Sequence, residues 1–90
     1  MPYTVTRYPL MFSGGTTCYL KKGTVIIDFV IVDGTPLLII ATDYDVGENE
    51  ERTFLVYPEN YNISEDFFIP IGVAKDEYDG IHWCIEVISK

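Results

Sequence analysis

The sequence predicts an all-β domain, a small antiparallel sandwich or partly open barrel of about six to seven short strands. Three observations predict it. Short runs dense in valine, isoleucine, threonine and tyrosine recur along the chain, and these residues suit the pleated, half-buried surface of a strand. Groups of Gly, Pro, Asn and Asp punctuate the runs, each able to supply a turn conformation. No long helical segment emerges, and the β-branched density of the apolar runs argues against helix there.

Each element follows from its residues. Tyr3 to Tyr8 alternates through Thr4, Val5 and Thr6 and reads as a strand that Pro9 ends or places at an edge. Ser13, Gly14 and Gly15 form a turn into the β-prone run Thr16 to Leu20, and Lys21, Lys22 and Gly23 form the next turn. Val25 to Val32 and Leu37 to Thr42 are the two most apolar runs, with Asp33-Gly34-Thr35-Pro36 between them. An Asp-Gly pair in that setting signals a hairpin. Pro36 leaves a two-residue turn and a four-residue loop as equal alternatives.

Strict alternation puts Val25, Ile27, Phe29 and Ile31 on one face and Ile26, Asp28, Val30 and Val32 on the other. Both faces are mostly apolar, so a second sheet or another subunit is expected to cover each. Asp43 to Glu51 is a polar loop, and Arg52 to Tyr57 a strand with Phe54 and Val56 on one side. Ser64 is placed to cap a short helical turn through Glu65, Asp66 and Phe67. Ile69 to Ala74 is a strand in which Pro70 and Gly72 suggest an edge or a bulge. After a turn from Asp76 to Gly80, Ile81 to Ile88 closes the chain, with Ile81, Trp83, Ile85 and Val87 facing one way and His82, Cys84, Glu86 and Ile88 the other.

Ninety residues make one domain, residues 1–90, without repeat or linker. A domain this short buries roughly 60–65% of its unfolded surface, so self-association into a dimer or higher oligomer is expected to supplement its core. Cys18 and Cys84 are too few for a disulfide scaffold. The opening MPYTVTRY lacks the apolar run of a leader, and Leu37 to Ala41 is far short of a membrane span. A soluble, cytoplasmic protein without membrane contact is the expectation.

Charge is the most informative compositional fact. Fourteen acids against six bases give a net of −8. Residues 1–42 carry +1, residues 43–79 carry −9, and residues 80–90 balance. Such a field opposes direct nucleic-acid binding and attracts basic protein surfaces; it also keeps a small protein soluble. The expected partner surface comprises Asp43, Asp45, Glu48, Glu50 and Glu51 from one loop and Asp76, Glu77 and Asp79 from a turn, with Tyr44 and Tyr78 as anchors. If hairpin ends cluster, the two groups form one negative patch. Exposed tyrosines offer large apolar area at low entropic cost. They also stack on nucleobases, and Arg7, Arg52, Tyr57 and Tyr61 form the alternative ligand set.

No cofactor, metal or catalytic motif emerges. His82, Cys84 and Glu86 share one strand face and are zinc-ligand types, but the chain offers only Cys18 as a further soft ligand. A histidine on a partly solvated strand face is the simpler reading. The acids from Asp43 to Glu51 lack the register of a calcium loop and its flanking helices. No nucleophile–base pair or paired carboxylates stand out, so the reading is non-enzymatic.

Four segments resemble a family of small uncharacterised bacteriophage proteins: Arg7-Tyr8-Pro9-Leu10, Lys22-Gly23 followed by Val25-Ile26, Asp33-Gly34-Thr35-Pro36-Leu37, and His82-Trp83 in place of the usual Trp-His. The family commonly has Pro before the Lys-Gly turn, where this chain has Leu20-Lys21. It often has Trp where Ile39-Ile40 stands, and a Gly-Thr-Gly-His-like turn where this chain has Pro58-Glu59-Asn60-Tyr61. The resemblance implies a viral context, in the host cytoplasm, and action on host machinery such as antiphage defence. It carries no residue-by-residue activity. Inhibition of a host protein through an acidic surface is the leading expectation. The alternatives are an oligomer that sequesters a small cyclic nucleotide signal, and a structural virion component.

Overall fold

The structure, a computed structural model, describes residues 2–78 and 80–88. Seven strands form two antiparallel sheets: β1 (Thr4–Pro9), β2 (Thr16–Lys21), β3 (Val25–Val32), β4 (Thr35–Thr42), β5 (Asn49–Pro58), β6 (Phe68–Asp76) and β7 (Gly80–Val87). One sheet has the order β1-β4-β3 and the other β2-β5-β7-β6. The expected all-β sandwich or partly open barrel is therefore found. The core lies between the sheets, with Phe29, Leu38 and Ile40 from one and Cys18, Leu20, Phe54, Val56 and Cys84 from the other.

The β3–β4 hairpin takes the two-residue form. Val32 pairs with Thr35, and Asp33 and Gly34 have φ of 50° and 77°. Two positive φ values in succession match the right-handed twist of the flanking strands. Pro36 is accommodated at the start of β4, where its carbonyl accepts from Leu10 N at 2.8 Å.

Alternation along β3 does not hold as the sequence suggests. The register moves from Ile26↔Ile40 to Asp28↔Ile39, so Ile27 is an extra residue. This bulge switches the inward face: Ile26 packs on the core before it, Phe29 and Ile31 after it, and Val25 and Ile27 are exposed. The Asp28 carboxylate accepts from Phe29 N at 2.8 Å, satisfying an amide beside the bulge. The bulge suggested by Pro70 and Gly72 is present in β6. Gly72 lies against Phe29 and Asp28, which brings the two sheets together along β3 and β6. Their opposite edges, β1 and β2, belong to different sheets and are not hydrogen-bonded to each other.

β5 and β6 both run antiparallel to β7, which lies between them. The 59–67 segment must therefore recross the length of the sheet. Tyr61 stacks on Tyr57 at 5.1 Å at one end, and Ile88 N donates to Phe67 O at 2.9 Å at the other. Ile85 is fully buried although it alternates with the core residue Cys84. No helical turn forms at Ser64; the crossing demands extended chain, and that demand overrides a local cap signal. Among the described residues there is no helix, hence none long and apolar enough to cross a membrane.

Candidate binding surface

The acidic residues divide between the two ends of the two-sheet domain. β5 pairs with β7 from Thr53↔Val87 to Pro58↔His82. The expected 43–51 loop ends at Glu48, because Asn49, Glu50 and Glu51 pair with β2 as the start of β5; this segment lies at the start of β5, whereas the 76–80 turn opens β7. At about 3.3 Å per residue the two lie on the order of 30 Å apart along the strands. The single patch considered from the sequence is not formed: antiparallel pairing sends the turn to the end opposite the loop.

At the 43–51 end most carboxylates serve the fold. Asp43 is buried, and its Oδ1 accepts from Asp45 N at 3.0 Å. This short-range turn closes the β4–β5 connection and removes Asp43 from any partner surface. Glu50 accepts from Gly23 N at 2.9 Å, Glu51 from the Tyr19 hydroxyl at 3.0 Å, and Glu48 pairs with Lys22 at 3.7 Å. The hydrogen bond to Glu51, and secondarily that carboxylate's charge, raise the Tyr19 hydroxyl pKa. Tyr44 and Asp45 are exposed.

The other end gathers three turns. The Asp33-Gly34 turn flanks the start of the 76–80 turn, and the two enclose a hollow of about 400 Å³ lined by Ile31, Lys75, Glu77 and Tyr78 among others. Glu59 joins them, its backbone N donating to Ile81 O at 2.9 Å. Asp76 is buried, 5% exposed, because it begins the hairpin against Gly80, so it too leaves the expected surface. Asp79 lies outside the described residues. Asp33, Glu59 and Glu77 are exposed, and no ion pair engages them among the described residues. Tyr78, at 87%, is the most exposed large side chain.

The alternative ligand set does not converge. Arg52 is enclosed: Nε and Nη2 donate to Glu86 at 2.7 and 2.8 Å, Nη1 donates to Thr24 O, and the guanidinium lies 5.8 Å from the Phe54 ring centre. The Glu86 hydrogen bonds raise its pKa despite burial. Tyr57 stacks with Tyr61 and meets Trp83 at 5.3 Å over the second sheet, while Arg7 lies on β1 of the first. The sequence carried a signal for the Arg52 pairing. Arg52 shares the face of Phe54 and Val56, Glu86 shares that of Cys84, and a charge on a buried face calls for an opposite one nearby.

The His82, Cys84 and Glu86 face is buried, not partly solvated. β7 is an inner strand, so this face meets the core. His82 is 7% exposed, its ring lies 4.8 Å from Phe12, and its Nδ1 has no hydrogen-bond partner. Cys84 is 1% exposed, and burial pushes its thiol pKa up to about 12. Burial also raises the Cys18 thiol and the Tyr8 hydroxyl it contacts. Among the described residues no three His, Cys, Asp or Glu side chains converge as a metal site.

The arrangement defines a two-sheet β domain whose external chemistry is concentrated in its loop ends. The chain matches no family model, and neither curated proteins nor solved structures provide a match to it.

Proposed function

We propose that this chain is a non-enzymatic binding protein that docks on a basic surface of a partner protein and inhibits the partner by occluding that surface. The docking end is the one carrying Tyr78. One observation carries this reading: a tyrosine 87% exposed shares a hollow with Asp33 and Glu77, carboxylates that no internal ion pair neutralises among the described residues. An aromatic anchor within a ring of complementary charge is the usual anatomy of an interface centre. The free carboxylates steer a basic partner to it. The resemblance to bacteriophage proteins supports a host protein as that partner.

The test is affinity capture from bacterial lysate with the wild-type chain, a Tyr78→Ala/Glu77→Lys variant and an Asp45→Lys/Glu48→Lys variant. The reading expects a basic protein retained in stoichiometric amount by the wild type and the loop variant, and lost with the Tyr78 variant. Equal retention by all three, or loss with the loop variant alone, would overturn it.

A further inference from the structure

The side of the domain where the free edges of β1 and β2 face each other holds a groove of about 390 Å³, within the range of small-ligand sites. Its floor is apolar and reaches the core through Leu20 and Ile40, 7% and 4% exposed, with Tyr8 beside them. Its rim carries Arg7, Lys21, Tyr19 and Tyr44.

The charge of this rim runs against that of the molecule. In a chain of net −8, carboxylates outnumber the cations fourteen to six. Lys22 and Arg52 are paired, whereas Arg7, Lys21 and Lys75 have no ion-pair partner among the described residues, and two of those three, Arg7 and Lys21, line this one groove. Strand register explains why these two stay unpaired. Lys21 stands opposite Asn49, not an acid, and the next carboxylates along β5, Glu50 and Glu51, are held by Gly23 N and the Tyr19 hydroxyl. Arg7 stands opposite Ile39. Two unneutralised cations thus border an apolar floor flanked by tyrosines 72% and 59% exposed, Tyr19 and Tyr44.

We infer that this groove binds a nucleoside phosphate, with the phosphate on Arg7 and Lys21 and the base against Tyr19 or Tyr44 over the apolar floor. Guanidinium and ammonium groups give charge-assisted hydrogen bonds to phosphate oxygens, and tyrosine rings stack on any base. A polynucleotide does not fit, because its extended charge would meet the acidic remainder of the surface. The groove lies at the far end of β4 from Asp33, so this inference stands apart from the Tyr78 surface, and either can fail alone.

The experiment is titration of the full chain with adenosine 5′-monophosphate, followed by calorimetry and by amide chemical shifts. Adenosine and inorganic phosphate serve as the separate halves. The nucleotide is expected to shift the amides of residues 6–8, 19–21 and 42–44, and to bind at least tenfold more tightly than either half. Arg7→Ala and Lys21→Ala should each weaken it at least tenfold, while Lys75→Ala and Tyr78→Ala leave it unchanged. Absence of shifts in the groove, shifts centred on Tyr57 and Tyr61, or equal affinity in Arg7→Ala would overturn the assignment.

Discussion

Arg52 and Glu86 form a two-pronged ion pair on the inward side of two inner strands, with nitrogen–oxygen distances of 2.7 and 2.8 Å. Their side chains are only 16% and 10% exposed. The pair also reaches across to the β2–β3 corner, because Arg52 Nη1 donates to the Thr24 carbonyl. Glu86→Gln therefore leaves a guanidinium enclosed without its counter-charge. Such a loss is expected to cost about 3–5 kcal/mol, whereas replacing both partners by apolar groups restores much of it. Urea unfolding of Glu86→Gln and of Arg52→Met/Glu86→Leu checks this: the double variant should be the more stable of the two.

Cys84 makes stability sensitive to alkali. Its thiol is raised from 9.0 to about 12 by burial first and the nearby Glu86 charge second. Above the unfolded value the unfolded chain has lost this proton and the folded chain still holds it, so raising the pH favours unfolding. The contribution is complete below about pH 9 and declines by about 1.4 kcal/mol per unit towards pH 12. Unfolding free energies measured at intervals from pH 8 to 11 should fall more steeply in the wild type than in Cys84→Ala. A thiol reagent at pH 8 should label Cys84 only after unfolding.

His82 is a buried polar group whose Nδ1 lacks a partner. Leaving such an atom unpaired costs about 1–3 kcal/mol. His82→Leu removes the atom at similar volume, and is expected to raise stability by about 1 kcal/mol, read as a higher denaturant midpoint with an unchanged slope. A lower midpoint would mean that the imidazole has a role in the fold.

Gly14 and Gly15 distinguish backbone strain from crowding. Both have positive φ, 78° and 70°. A Cβ on Gly14 meets open space, while one on Gly15 would lie 2.5 Å from Leu55 Cδ2. Gly14→Ala should cost about 1 kcal/mol and Gly15→Ala roughly 2 kcal/mol. Thermal unfolding of the two variants side by side gives the comparison.

Much of the strand order was legible in the residues. Turn chemistry at Gly14-Gly15, Lys22-Gly23 and Asp33-Gly34 set the hairpin and corner positions, and Pro70 with Gly72 announced the β6 bulge. The β3 bulge was not legible, because no glycine or proline marks Ile27. It is stabilised by Asp28, whose side chain bonds a neighbouring amide once the sheets meet. The split of the acidic surface was also hidden. Asp43 and Asp76 look solvated in sequence, but each is buried at a strand terminus. Arg52 resembled a ligand-binding cation until register placed Glu86 diagonally across from it on β7. Residue type shows which groups carry charge; pairing register decides which of them remain free.

The most direct test of the binding account is hydrogen exchange of the chain alone and in complex with the basic protein it captures. Docking at the Tyr78 end predicts slowed exchange at residues 32–35, 58–60 and 76–81, with residues 43–51 unchanged. Protection centred on residues 43–51, with the Tyr78 turn unaffected, would contradict it.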